Sequence, residues 1–387
     1  MMNIPLSRPD ITDKEVQSIV EVLKTPNLSM GPKLQEFEEK FAAQMGSQYA
    51  LAVNSGTSGL HLCIRALDIK DEDKVITTPF SFVSSANCIL FERGRPIFVD
   101  IDESTLNVDL NKLGDTIKKL KDNNRKIKAI IPVHVFGRPC EMDEIMELAQ
   151  NYGLEVIEDA CEAVNAEYYS ETNGKLDWKK VGTFGTCGVF GFYPNKQITT
   201  GEGGMIVTDS ERIDRLCRSM RNQGRSENSS WLEHERLGYN YRISDLNCAL
   251  GITQLQRIDE ILAKRKKVAR LYNEKLSEID EIILPCFEEN KKISWFVYVI
   301  RLANKFSQKD RNLIRAKLKE KGVSCGDYFS PIHLQPFYRN MFGYNKGDFP
   351  ITEKVSERTI ALPFFNNLEE EQIDYICKNL KEIIARL

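Results

Sequence analysis

Three short stretches of this 387-residue chain carry residue types that can do chemistry together. Lys196 stands alone in the turn-rich run Gly191-Phe192-Tyr193-Pro194-Asn195-Lys196-Gln197-Ile198-Thr199-Thr200-Gly201-Glu202-Gly203-Gly204, which holds almost no other charge. Burial among apolar and aromatic groups lowers the pKa of a lysine, and an amine that sheds its proton near neutrality forms a Schiff base with an aldehyde or ketone. Most lysines are solvated surface residues, so this one needs context. The run Asn54-Ser55-Gly56-Thr57-Ser58-Gly59 joins an apolar stretch to a helical one. Free N–H groups and hydroxyls at such a helix N-terminus form an anion site: Gly56 permits close approach, and Thr57 and Ser58 either bond phosphate oxygens or only cap the helix. No Gly-Lys-Thr or Gly-Lys-Ser triplet follows, so this is not a Walker loop. Glu158-Asp159 closes another apolar run, at the edge where open α/β sheets place their ligands. A carboxylate there either caps the next turn or pairs with a protonated pyridine nitrogen, keeping that ring an electron sink.

The elements that must position these groups follow from periodicity. Short β-branched runs at Tyr49–Val53, Lys74–Thr77, 96–100, 127–133 and 154–157 alternate with helical stretches, the first of them 56–67 with Leu60, Ile64 and Leu67 on one face. This alternation predicts α/β architecture around a mostly parallel sheet. Runs 189–193 and 205–208 complete seven strands; with no long helix between them, they read as an antiparallel or loop-connected pair that brackets Lys196. Residues 10–23 and 33–44 read as helices wrapping the domain or a partner subunit, and 244–276 as one long helical connector. A strand at 295–302 and helices at 309–321 and 368–387 make a smaller α/β unit, so a large domain over 1–250 and a small one over 251–387 are expected. Residues 168–180, rich in Ser, Thr, Asn, Gly and charge, read as a surface excursion.

Composition narrows the class. With Lys+Arg 53 against Asp+Glu 56, the net charge is -3 and is spread along the chain, which disfavours nucleic acid as a partner. The first residues show no leader and no apolar run reaches membrane-spanning length, so a cytoplasmic protein without a membrane partner is expected. Ten cysteines form no Cys-x-x-Cys pair and only four histidines exist, which favours free thiols over disulfides or a metal site.

Phosphate loop, then aspartate, then lysine is the order of a pyridoxal phosphate enzyme. The chain resembles the DegT/DnrJ/EryC1/StrS family of sugar aminotransferases, of fold type I like aspartate aminotransferase. The resemblance runs through Ile4-Pro5-Leu6-Ser7-Arg8-Pro9, Val53-Asn54-Ser55-Gly56-Thr57-Ser58, Thr78-Pro79-Phe80-Ser81-Phe82-Val83 and Val133-His134-Val135-Phe136-Gly137. It continues through Val156-Ile157-Glu158-Asp159-Ala160, Phe192-Tyr193-Pro194-Asn195-Lys196, Gly201-Glu202-Gly203-Gly204, Leu237-Gly238-Tyr239-Asn240-Tyr241-Arg242 and His333-Leu334-Gln335-Pro336.

The resemblance implies that Lys196 is the Schiff-base lysine, Asp159 the partner of the pyridine nitrogen, and Gly56, Thr57 and Ser58 the phosphate loop. It implies that Phe82 stacks on the cofactor ring; by itself Phe82 reads as a core residue at a helix start. Asn240 matches an asparagine that reaches a neighbouring subunit's cofactor phosphate, implying a homodimer with shared sites. His333 matches a position near the sugar or is a surface-loop histidine, and Arg242 meets a carboxylate or phosphate or only a helix end. The implied reaction moves an amino group from glutamate to a keto-sugar nucleotide. Two positions depart from the family pattern. Gly191 stands where many relatives have Ser, removing one hydroxyl from the phosphate. Glu162, at the cofactor, stands where many have Gln or His, as in the perosamine-type branch that aminates C-4. Amination at C-3 or of a cyclitol ketone is the alternative, and a non-catalytic binder would have lost Lys196 or Asp159. Relatives that dehydrate sugars carry histidine in place of Lys196.

Overall fold

The computed structural model of the chain describes residues 2–123, 125–172, 174–226 and 233–387. Its centre is a seven-stranded sheet in the order β1-β9-β8-β5-β4-β2-β3. The strands are β1 (Tyr49–Val53), β2 (Lys74–Thr77), β3 (Arg95–Phe98), β4 (Ile127–Ile130), β5 (Glu155–Asp159), β8 (Cys187–Gly191) and β9 (Gly204–Thr208); β6 and β7 fall outside this sheet and are placed below. Pairs from β3 to β8 are parallel, while β9 runs antiparallel to both β8 and β1. The seven expected strands are therefore present, with the expected antiparallel pair around Lys196.

Alternation along each strand builds a core on both faces, as successive side chains point to opposite sides. Ala50, Ala52, Phe190, Met205 and Val207 face helices α2 (Pro32–Met45), α5 (Leu110–Asp122), α6 (Met142–Tyr152) and α8 (Asp245–Gln256). Leu51, Val53, Val189 and Ile206 face α3 (Gly56–Ala66), α4 (Ser84–Phe91) and α7 (Glu211–Arg221). Helix α1 (Asp13–Leu23) lies on α8. Among the described residues no helix is long and apolar enough to cross a membrane.

A second core is formed by α9 (Ile258–Leu276), β10 (Ile282–Ile283), β12 (Tyr298–Leu302), α10 (Gln308–Glu320), β13 (Thr359–Leu362) and α13 (Glu370–Ile384). Two features link the stretches on either side of the expected 250/251 division. Ile4 belongs to this second core, its N–H donating to Gly322 O at 2.8 Å and its carbonyl accepting from Ser324 N at 3.0 Å. Short helices α11 (Pro336–Phe342) and α12 (Pro350–Ser356) turn back to the first unit, where Asp100 accepts from Thr352 N at 2.8 Å.

The expected single helix over 244–276 is broken at Arg257, which lies between α8 and α9 with φ −104° and ψ 10°. No Gly or Pro marks the break. The Arg257 guanidinium is drawn instead to Glu15 Oε1 on α1, at 2.8 Å, and to Asp10. The expected surface excursion at 168–180 takes the form of a hairpin of β6 (Glu167–Thr172) and β7 (Lys175–Lys180), outside the central sheet; Asn173 lies outside the described residues. Tyr169 and Trp178 are cross-strand partners with ring centroids 5.2 Å apart, the kind of pair that stabilises a hairpin. Its third strand, β11 (Lys291–Lys292), comes from a distant part of the chain.

Candidate active site

A cavity of about 520 Å³ opens at the carboxyl ends of β5 and β8. Gly56, Thr57, Phe82, Asp159, Glu162, Gly191 and Lys196 all line it, although the sequence spreads them over 141 positions from 56 to 196. Each is delivered by a strand end or a tight turn, where side chains escape the packed layers.

Glu158 and Asp159 show how strand alternation divides adjacent acids. Glu158 points into the fold, fully buried, and accepts hydrogen bonds from Gly182 N, Phe184 N and Gly185 N at 2.6–2.8 Å. His134 Nδ1 accepts from Cys140 N, so its Nε2 carries the hydrogen that Glu158 Oε2 receives at 3.1 Å. Glu158 thus fastens the 182–185 turn. Asp159 faces the cavity; its Oδ2 accepts from Ser85 Oγ at 2.6 Å and its Oδ1 from Cys161 N at 3.2 Å. An ionised carboxylate has about four acceptor positions, so capacity remains for one more donor.

The Gly56-Thr57 backbone begins α3, with Ser55 as N-cap accepting from Ser58 N. Ser58 is drawn inward: its hydroxyl donates to Asn54 Oδ1 at 2.6 Å and it does not line the cavity. The cap is Ser55, and the Ser58 hydroxyl ties the turn to Asn54. Glycine is required at 56 because a Cβ would lie 2.7 Å from Cys161 Sγ. At Gly191 a Cβ would lie 3.4 Å from Cys161 Cβ, so that thiol-bearing residue flanks the place where the hydroxyl is missing.

Lys196 projects its amine to 3.4 Å from Glu162 Oε1 and 3.8 Å from the centroid of the Phe296 ring. Burial pushes the Glu162 carboxyl above the ordinary carboxylate range, against the opposing pull of Lys196 and of the Phe136 N–H, which donates to Oε2 at 2.9 Å. A half-buried amine beside a carboxyl that resists ionisation is an arrangement for moving protons.

Phe82 is 61% exposed at the cavity wall, so it is not the core phenylalanine that position alone suggests. Three other residues are not brought into this cavity by the chain's own fold. Asn240 is exposed on a segment bridged to Asn222, and Arg242 donates to Asn222 Oδ1 at 2.9 Å. His333 is neither a surface-loop residue nor a lining one. It is fully buried, its Nε2 lies 3.0 Å from Glu353 Oε1, and burial holds its imidazole below the usual histidine pKa. Residues that the sequence did not announce also line the cavity, among them Ser55, Cys161, Phe296 and Tyr328. Cys161 was within reach, two places after Asp159; Phe296 and Tyr328 come from the second half of the chain and carry no local signal. Ser81, Phe82, Tyr328 and Phe329 also border an adjoining recess of about 710 Å³ with Gln335, Phe337 and Tyr338.

These residues fit pyridoxal phosphate. A helix N-terminus opened by a glycine, an exposed aromatic face, a hydrogen-bonded carboxylate with spare acceptor capacity and a lone amine surround one space.

Comparison with known proteins agrees. The family model described as the DegT/DnrJ/EryC1/StrS aminotransferase family matches residues 9–381. The spore coat polysaccharide biosynthesis protein SpsC of Bacillus subtilis is 36% identical, over 98% of this chain and 97% of that protein. The GDP-perosamine synthase of Escherichia coli O157:H7 is 33% identical over 100% of both. The structure of Helicobacter pylori PseC, described as an aminotransferase in the biosynthesis of pseudoaminic acid, superposes with a TM-score of 0.90 at 26% identity, covering 100% of both chains. With that match running nearly end to end, and with Gly56, Thr57, Phe82, Asp159, Glu162 and Lys196 lining one cavity, the chain belongs to the DegT/DnrJ/EryC1/StrS aminotransferase family and is a fold type I, pyridoxal-phosphate-dependent aminotransferase.

Proposed function

We propose that this chain makes an amino sugar by transferring an amino group from glutamate to a keto-sugar nucleotide, with a 4-keto sugar favoured. The observation that carries this reading is the Lys196 amine, held 3.4 Å from a buried Glu162 in the same cavity as Asp159 and the α3 N-terminus. Similarity to a GDP-perosamine synthase over the full length, and the acid at 162, support the sugar and the 4-keto preference. The product serves a surface polysaccharide, a glycan or a secondary metabolite, and similarity to SpsC supports the first. We place the enzyme in the cytoplasm.

When bound, pyridoxal phosphate supplies an aldehyde carbon that accepts the amino group and a ring that draws electron density from the carbon losing its proton. The α3 N-terminus at Gly56 and Thr57 would hold its phosphate, and the Phe82 ring would cover one face. Asp159, organised by Ser85, would hold a proton at the ring nitrogen. The Lys196 amine would take the proton from the donor's α-carbon, and would return one to the sugar carbon that receives the amino group. Glu162, reluctant to ionise, shares a proton with that amine. The recess beside Phe82 offers aromatic faces and the Gln335 amide to the body of the substrate.

A homodimer with shared sites completes the reading. Val16, Val20 and Leu23 form an exposed apolar stripe on α1, and Leu237 and Phe91 are exposed apolar groups as well. A second copy would cover them and receive Asn240.

The test is conversion of the bound cofactor by glutamate, followed by absorbance, then a screen of keto-sugar nucleotides with NMR of the product. Lys196→Ala should abolish conversion in both half-reactions. Full transamination by that variant, or no conversion of the parent protein by any amino acid, overturns the proposal.

A further inference from the structure

Helix α9 carries the chain from the first core to the second, and midway along it Arg265 is 2% exposed. Its hydrogen bonds go to carbonyls: Nη2 donates to Lys196 O at 2.9 Å, and Nη1 to Phe296 O at 3.1 Å and Trp295 O at 3.3 Å. Its Nε has no partner, and its Cζ lies 5.5 Å from the centroid of the Phe364 ring. Burial pulls its pKa down to about 10, with only Asp10 opposing. A buried guanidinium usually answers a carboxylate, because an unneutralised charge is costly to bury. This one holds the backbones of the two residues that meet at the reacting amine, Lys196 and Phe296.

We propose that Arg265 is a positioning residue: its fork fixes the turn carrying Lys196 and the segment carrying Phe296 as one unit, so that the second core sets where the amine stands. Three pieces of chain far apart in sequence meet on one planar group, a task for which the arginine fork is suited and the flexible ammonium of lysine is not. Phe296 is itself held from the other side, since Ser294 N donates to Gly137 O at 3.0 Å and Ser294 Oγ to Val164 O at 2.5 Å. The Lys196 amine contacts Glu162 and Phe296, and Asp159, Cys161 and Tyr328 line the same cavity. Arg265 adds a fixed positive charge behind them.

This inference rests on Lys196 being the reacting amine, and the two fail separately because one readout needs no substrate. The experiment compares the holoenzyme with Arg265→Lys and Arg265→Met. The first readout is the pH midpoint of the bound cofactor's visible absorbance. A charge roughly 10 Å away at an effective dielectric of about 20 moves a titration by about one unit, and its loss in Arg265→Met should raise the midpoint by that much. The second readout is conversion by glutamate. Loss of alignment should lower the limiting rate about 10-fold in Arg265→Lys and about 100-fold in Arg265→Met, with half-saturation by glutamate within about two-fold of the parent. If Arg265→Met fails to fold, the rate of Arg265→Lys decides. An unmoved midpoint and an unchanged limiting rate, with only the melting temperature lowered, would make Arg265 a structural residue and overturn the proposal.

Discussion

Ser85 donates its hydroxyl to Asp159 Oδ2 at 2.6 Å, a short charge-assisted bond between two buried side chains. Replacing it with alanine removes that donor and leaves the carboxylate to Cys161, whose N–H donates to Oδ1 at 3.2 Å. A hydrogen bond to a charged group contributes about 1.5–3 kcal/mol. At about 1.4 kcal/mol per tenfold, losing that donor should weaken the hold on the Asp159 carboxylate by about 10- to 150-fold. A less firmly held carboxylate would pair less well with the ring nitrogen, and carbanionic charge would have a weaker sink. Conversion of the bound cofactor by glutamate should slow by one to two orders of magnitude in stopped-flow absorbance. Ser81 is the control. Its hydroxyl meets Ser85 Oγ at 2.8 Å without touching Asp159, so Ser81→Ala should slow conversion about three-fold or less. A Ser85→Ala enzyme that converts at the parent rate would show that an ionised Asp159 does not control the chemistry.

Two further outcomes follow from the same site. Burial raises the Glu162 pKa above its unfolded value, so its contribution to stability is fully present below about 4.5 and is lost as pH rises through the higher folded value. Glu162→Gln cannot ionise, so its stability relative to the parent should increase from pH 4.5 to pH 7.5 in denaturant melts of the cofactor-free protein, and a pH-independent difference would refute the assignment. Gly56→Ala brings a Cβ to 2.7 Å from Cys161 Sγ, which should cost about 1–3 kcal/mol and weaken cofactor binding. Adding Cys161→Ala should restore most of the binding in an absorbance titration; a double variant no better than the single one would rule out that clash as the cause.

Gly56, Asp159 and Lys196 were legible because each is announced within a few residues, by a turn after a β-branched run, an acid at a strand end, or a cation alone among turn residues. The seven strands were legible for the same reason, since period-two and apolar runs are properties of neighbours in the chain. At 168–180 the sequence shows a surface excursion but not its hairpin, because charge and the Asn-Gly spacing mask the Tyr169–Trp178 pair and the third strand comes from Lys291–Lys292. The break in 244–276 is not legible, because no Gly or Pro marks Arg257 and its partners Glu15 and Asp10 lie far away in the sequence.

The roles of the two neighbouring acids divide along the same line. The amino-acid sequence determined that Glu158-Asp159 ends a strand, and alternation required that one of them face inward. Packing alone decided that Glu158 would be consumed by the 182–185 turn, that Glu162 would be buried against the Lys196 amine, and that His333 would be sealed away with Glu353. The walls of the cavity belong to tertiary structure as well. Phe296, Tyr328 and Arg265 reach Lys196 only because the second core folds against the first, and a contact between distant segments depends on shape and burial that no local pattern encodes.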